Sequence, residues 1–281
     1  MNDRQSAATG YITGHIPVPE EWDQVFDPFY YAANHQESPI RRKFAPSFQT
    51  ILIFNFGTPG FFYLTPDEPL PVENSIVIGP IKLSHDYVLS PGTDVLIANF
   101  KLDAFYRFFG RHLQSYTDFM QHPDELLGEH CFANLWQELK QLPDMQQRVN
   151  RILDFSAAYL VERDEKSEDI VAGSHPESVI NPIKEIAGKQ GQSERSIQLK
   201  YKKYLGYSAK EISRYQRYKK ALAWLQERAG QNSHIDWFEI IHEFGYYDQS
   251  HLIHDFNHFL GVSPAQYVKL QASICIAAGR P

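Results

Sequence analysis

Two sets of side chains in the last third of the chain could do recognition chemistry. In the first, Arg195, Gln198 and Lys202 fall at i, i+3 and i+7, on one face of a helix. In the second, Gln249, Ser250, His254, Asn257 and His258 lie outward, opposite an apolar face of Leu252, Phe256 and Phe259. Such groups donate and accept hydrogen bonds or carry positive charge, which suits reading a polar surface rather than breaking bonds. Catalytic patterns do not occur: there is no glycine-rich phosphate loop, no G-x-S-x-G and no H-E-x-x-H. The nearest approach to a metal pair is His85-Asp86, without further closely spaced ligands. Phe54, Phe56, Phe62 and Tyr63 could line a ligand pocket, and their alternation would serve a core equally well. No catalytic residue, metal or cofactor is expected.

The elements that must carry the first set open at Ser193, a good N-cap, and stop at Gly206. Ile197, Tyr201 and Tyr204 form the buried face. A short helix precedes it, with Asn181 as cap and Pro182 at its first position, and Ala187 and Gly191 flank the turn between the two. This is a helix-turn-helix pattern. It recurs: Asp236 and Glu239 form a D-x-x-E capping box, Ile241 and Gly245 repeat the four-residue spacing, and Asp248 caps the helix of the second set. Between the units, a capping box of Ser208 and Glu211 opens a helix running to Ala229. At 1.5 Å per residue it is a rod of about 32 Å, close to the roughly 34 Å between successive major-groove turns.

Charge divides the chain. Its 281 residues carry a net −7, which disfavours a phosphate partner until the halves are separated: residues 1–175 hold −11 and residues 176–281 hold +4. The stretch Arg163–Asp169, followed by Gly173-Ser174-His175-Pro176, is charged and poor in apolar residues and reads as a linker. The expected domains are 1–162, a linker over 163–180, and 181–281. Two lone cysteines, Cys131 and Cys275, give no disulfide framework and point to buried thiols in a reducing cytoplasm. Neither a signal peptide nor a membrane span is visible.

The first domain reads as strands, then helices. Phe48–Phe56, Phe61–Leu64, Ser75–Ile78, Asp86–Ser90 and Val95–Phe100 are strand candidates, punctuated by turns such as Gly57-Thr58-Pro59-Gly60. That spacing predicts a β-sandwich or small barrel. Phe132 to Leu139 and Val149 to Leu160 then keep helical spacing on either side of Pro143, and the second of these helices could pair two subunits. The fold class is α+β: a β-rich domain with helices, then an all-α domain.

Residues 181–270 resemble the DNA-binding domain of AraC/XylS-family transcriptional regulators. The resemblance rests on Ser193-x-Arg195-x-x-Gln198 and on Gly245-Tyr246-Tyr247-Asp248-Gln249-Ser250-His251 through Phe256 to Gly261-Val262-Ser263-Pro264. More weakly, Ile51–Gly57 and Val77–Pro80 resemble the cupin-like, β-rich sensor domain of some members. The resemblance implies a sensor and dimerisation domain followed by two helix-turn-helix units on a shared helix. It further implies a cytoplasmic regulator that binds double-stranded DNA, a homodimer, and a small-molecule effector of unknown identity. Arg195, Gln198, Leu199, Gln249, Ser250 and His254 would then face bases, and Ser193, Lys202, Lys203, Asn257 and His258 phosphates. The sequence departs from the family at Leu199 and His254, where arginine is common, and at Asn257 and His258, where basic residues are usual. These departures motivate one rival, a ligand- or protein-binding regulator with a degenerate DNA domain. A small-barrel, cupin-type enzyme is the other.

Overall fold

The computed structural model describes residues 10–112, 119–174, 182–230, 235–270 and 274–275. The β-rich half is two facing sheets. One has the order β1 (Tyr11–Ile16), β2 (Phe29–Asn34), β9 (Asp94–Asn99), β4 (Ile51–Asn55), β7 (Ser75–Ile78), β10 (Met120–Gln121). The other runs β11 (Ile274–Cys275), β3 (Ile40–Phe44), β8 (His85–Leu89), β5 (Gly60–Tyr63), β6 (Pro69–Val72). The period-2 pleat explains the packing. Ile51 and Ile53 of β4 enter the core between the sheets with Ile78, Val95 and Ile97. Leu52 and Phe54 point the other way, with Val77, Leu96 and Ala98. Both faces of β4 are covered, so it reads as an unbroken apolar run. The turn after β4 needs Gly57, because a Cβ there would meet the Gly92 carbonyl oxygen at 2.0 Å.

The outer face of the first sheet is closed by α1 (Ala104–Phe109), α2 (Pro123–Leu127), α3 (Cys131–Gln141) and α4 (Met145–Ala157). Phe105, Phe108, Phe109, Phe132, Leu135, Val149 and Ile152 fill that layer. Asp144, just after Pro143, caps α4 by accepting from Gln147 N at 2.9 Å. Cys131 is half-buried, less covered than expected.

The helical half comprises α5 (Glu165–Ala172), α6 (Pro182–Gln190), α7 (Glu194–Leu205), α8 (Ala209–Gly230), α9 (Trp237–Glu243), α10 (Gln249–Leu260) and α11 (Pro264–Leu270). Part of the stretch read as a linker is therefore helix. Asp164 caps α5 by accepting from Ser167 N at 2.7 Å, and Ile170 and Val171 are buried against α6 and α7. With two adjacent apolar residues among charges, α5 has no readable period. Residues 175–181 of that stretch lie outside the described residues.

The halves share a joint. Phe48, in the loop before β4, is buried among Tyr207, Tyr215 and Phe259 of the helical half. Tyr215 Oη donates to Pro46 O at 2.7 Å, Ser84 N donates to Phe259 O at 2.9 Å, and Lys82 Nζ meets Glu211 Oε1 at 2.9 Å. Glu211 also closes the Ser208 capping box, its Oε2 accepting from Ser208 N at 2.8 Å.

His112 donates from Nε2 to Tyr204 O at 2.6 Å. Its Nδ1 is buried without a hydrogen-bond partner. Burial, only partly offset by the Tyr204 bond, lowers its pKa from 6.5 to about 4. The sign of the linkage follows. Below pH 6.5 the unfolded ring takes a proton that the folded ring refuses, so stability is complete above that pH and falls as the pH drops towards 4. The expected loss is roughly 3 kcal/mol over the whole window. Urea unfolding at stepped pH should show this slope in the wild type and a shallower one in His112→Gln; parallel slopes would rule the assignment out.

Candidate nucleic-acid interface

In the first unit, α6 and α7 meet around Gly191, whose φ of +61° lies in the left-handed region. Gln192 N donates to Ala187 O at 3.0 Å across the turn, and Ala187 is buried between the helices. Ser193 caps α7, its Oγ accepting from Ser196 N at 3.2 Å. Ile197, Tyr201, Tyr204 and Leu205 are buried, which orients the opposite face outward. Arg195, Gln198, Leu199 and Lys202 are all exposed there, Leu199 to 62%. Lys203 lies round the helix, its ammonium 5.5 Å from the ring of Tyr106 on α1, so it faces the joint. Lys200 donates to Gln190 Oε1 at 2.6 Å.

The second unit repeats the construction. Gly245 turns the chain at φ +69°, and Asp248 caps α10 by accepting from His251 N at 2.8 Å. Asp236 caps α9 by accepting from Phe238 N at 2.9 Å, but Glu239 does not close the expected box; its carboxylate pairs with Arg228 at 3.0 Å. Gln249, Ser250, His254, Asn257 and His258 are exposed, as their spacing predicts. Burial and the neighbouring Arg214 hold the His258 imidazole below its ordinary value. The connector α8 has 22 residues, a length of about 33 Å.

Sequence reasoning missed Asp255. It sits on the inner face of α10, fully buried, and takes Arg214 Nε on Oδ1 at 2.7 Å and Arg217 Nη2 on Oδ2 at 3.0 Å. Two cations of α8 that could have met phosphate are thus committed inside the domain, while Lys210, Lys219 and Lys220 remain exposed. The available signal was a carboxylate between Leu252 and Phe259 on an apolar stripe, with two arginines three apart on α8. Two exposed aromatics, Phe238 at 81% and Tyr247 at 90%, were also unanticipated; Tyr247 precedes the cap of α10.

Between the sheets lies a small apolar cavity of about 50 Å³ lined by Tyr30, Phe44, Ile51, Ile53, Phe62 and Ile97 among others. Of the four aromatics considered as pocket residues, Phe62 lines it. The pleat turns Phe54 towards Phe132 in the helix layer. Phe56 lies under the Arg148 guanidinium at 3.9 Å and Tyr63 under Arg41 at 4.8 Å. His85 Nδ1 donates to Tyr63 O at 3.2 Å, and Asp86 is paired with Lys43 at 3.0 Å and Arg41 at 3.3 Å.

Residues 186–270 match the family described as "Helix-turn-helix domain". Among solved structures, the chain is similar to ToxT from Vibrio cholerae at 11% identity, with a TM-score of 0.41, over 93% of this chain and 98% of that one. A second ToxT structure, described as unsaturated fatty acid bound, matches at 11% identity and a TM-score of 0.40, over 85% of this chain and 94% of that one. An RmlC-like cupin protein from Desulfovibrio desulfuricans matches at 14% identity and a TM-score of 0.27, over 36% of this chain and 91% of that one. A comparison with curated proteins gives no match. Among the described residues, no helix is long and apolar enough to cross a membrane.

Proposed function

We propose that this chain is a DNA-binding regulator of the AraC type that reads a specific double-stranded site with both units, a reading supported by the helix-turn-helix match over residues 186–270. One observation carries this reading: two capped helices, α7 and α10, each bury an apolar face and expose a polar one, and a helix of about 33 Å joins their units. That span suits successive major-groove turns. Arg195 pairs with guanine and Gln198 and Gln249 with adenine, as their donor and acceptor geometry allows. Leu199 has no hydrogen bond to give; an exposed leucine among polar neighbours suits a thymine methyl. Ser250 and His254 complete the base-facing set. Lys202 and Asn257 contact phosphate, Ser193 and His258 add hydrogen bonds, and Lys203 contributes from the side facing the joint.

The β-rich half acts as the sensor, in a cytoplasmic homodimer without catalytic activity. Its cavity is far below the roughly 300–1,000 Å³ of ordinary small-molecule sites, so an effector seated between the sheets must open them.

Selection of bound DNA from a random pool tests the reading and yields the site. On that site, Arg195→Ala should cost about 1–3 kcal/mol and relax one base position. Lys202→Ala should weaken specific and random DNA alike and lower the salt slope by about one. Equal losses on both DNAs for Arg195→Ala would remove its assigned role, and a pool that yields no site would favour the degenerate-domain alternative.

A further inference from the structure

His254 stands on the outer face of α10 with 72% of its side chain exposed. Its Nδ1 lies 3.0 Å from Arg214 Nη2. A guanidinium has five N–H donors and no acceptor. In this contact Nδ1 must accept, which leaves the ring hydrogen on Nε2. Arg214 is itself fixed, because its Nε donates to buried Asp255, whose other oxygen holds Arg217. Its other neighbours are Asp255, whose Oδ1 lies 4.0 Å from Nδ1 and beyond hydrogen-bond reach, and His258 on the same helix, whose ring is parallel to that of His254 at 6.5 Å. The chain Asp255–Arg214–His254 therefore runs from the core of the domain to its outer surface, and each link has one hydrogen-bond polarity.

We infer that Arg214 is a positioning residue that locks His254 as the Nε2–H tautomer, and that His254 thereby presents one fixed donor to a purine N7 in the major groove. This rests on α10 being a DNA-reading helix. Both purines carry N7 as an acceptor, guanine O6 and thymine O4 also accept, and cytosine offers only a donor at that edge and is rejected, so 7-deaza substitution is what separates N7 from the carbonyl oxygens. The histidine then needs no positive charge to replace the arginine common at this position in the family; it needs only a defined tautomer, and a buried carboxylate supplies that through Arg214.

The tautomer can be read without DNA, from long-range nitrogen–proton correlations of the imidazoles in the full-length protein, with His254 assigned by its absence in His254→Ala. The Nε2-protonated pattern is expected in the wild type, and a mixture of tautomers in Arg214→Met. An Nδ1-protonated or mixed pattern in the wild type overturns the lock, whatever the folding of the variant. For the base contact, each purine of the selected site is replaced by its 7-deaza analogue. One position should lose about fivefold in wild-type affinity and nothing further in His254→Ala. Equal losses in both proteins at every position overturn the contact. A pool that yields no site at all fails the DNA reading instead, and the spectrum still decides the tautomer.

Discussion

Replacing Arg214 and Arg217 together by methionine should destabilise the helical half by about 3–5 kcal/mol. Both arginines end on Asp255, which is fully buried on α10, and the double change leaves that carboxylate in the core without a cation. Removing the carboxylate is different in kind. The two guanidinium groups are each more than a quarter exposed, so in Asp255→Leu they can turn to water. Its cost should therefore be smaller, and the introduced leucine side chain would join Leu252, Phe256 and Phe259 on the apolar face. The sharper outcome concerns the triple change. Adding Asp255→Leu to the double variant should restore most of the lost stability, because a buried ionic triad replaced wholly by apolar side chains is commonly neutral or stabilising. Urea unfolding of the four proteins measures this. A triple variant no more stable than the double one would show that the ion triad is not the source of the loss.

What was legible in the sequence was local chemistry. Ser193, Ser208, Asp236 and Asp248 each stand one residue before a helix start, since a cap is read from a few neighbouring residues. Strands β4, β7 and β9 were visible because burial on both faces makes them apolar throughout or nearly so. β3 was not. It reads Ile40-Arg41-Arg42-Lys43-Phe44, and its cations are accommodated largely by other strands: Arg41 and Lys43 pair with Asp86 of β8, and Arg42 lies over Tyr11 of β1 at 5.9 Å. The candidate interface divides the same way. Its outward residues follow from helical period. The bonds that tie His254 to Arg214 and Arg214 to Asp255 depend on how α8 and α10 cross, and no local pattern reports a crossing. The joint between the halves was illegible for the same reason.

Phe48→Ala should uncouple the two halves. Phe48 is supplied by the β-rich half, yet its ring stacks on Tyr215 at 4.4 Å and meets Tyr207 edge-on at 5.4 Å, so it belongs energetically to the helical core. Truncating a buried phenylalanine costs about 3–5 kcal/mol. That loss should fall on the joint, because the core between the sheets and the core beneath the outer helices do not contain Phe48. Calorimetry should resolve one unfolding transition in the wild type and two in Phe48→Ala. A backbone argument adds a second, independent expectation. Phe48 sits at φ +60°, held there by its own N–H and that of Ser47, both donating to Ile81 O at 2.9 and 3.0 Å. A residue with a Cβ is strained in this region by about 1–3 kcal/mol, and glycine is not. Phe48→Gly should thus be at least as stable as Phe48→Ala, reversing the usual order of the two residues. A single transition at the wild-type temperature in Phe48→Ala would place the coupling elsewhere, in Lys82–Glu211 and the Tyr215–Pro46 bond. The residues proposed to face bases, Arg195, Gln198 and Leu199 on α7 and Gln249, Ser250 and His254 on α10, are all exposed. On the proposed reading, the joint would act on DNA through the placement of the two units, because it covers none of these residues.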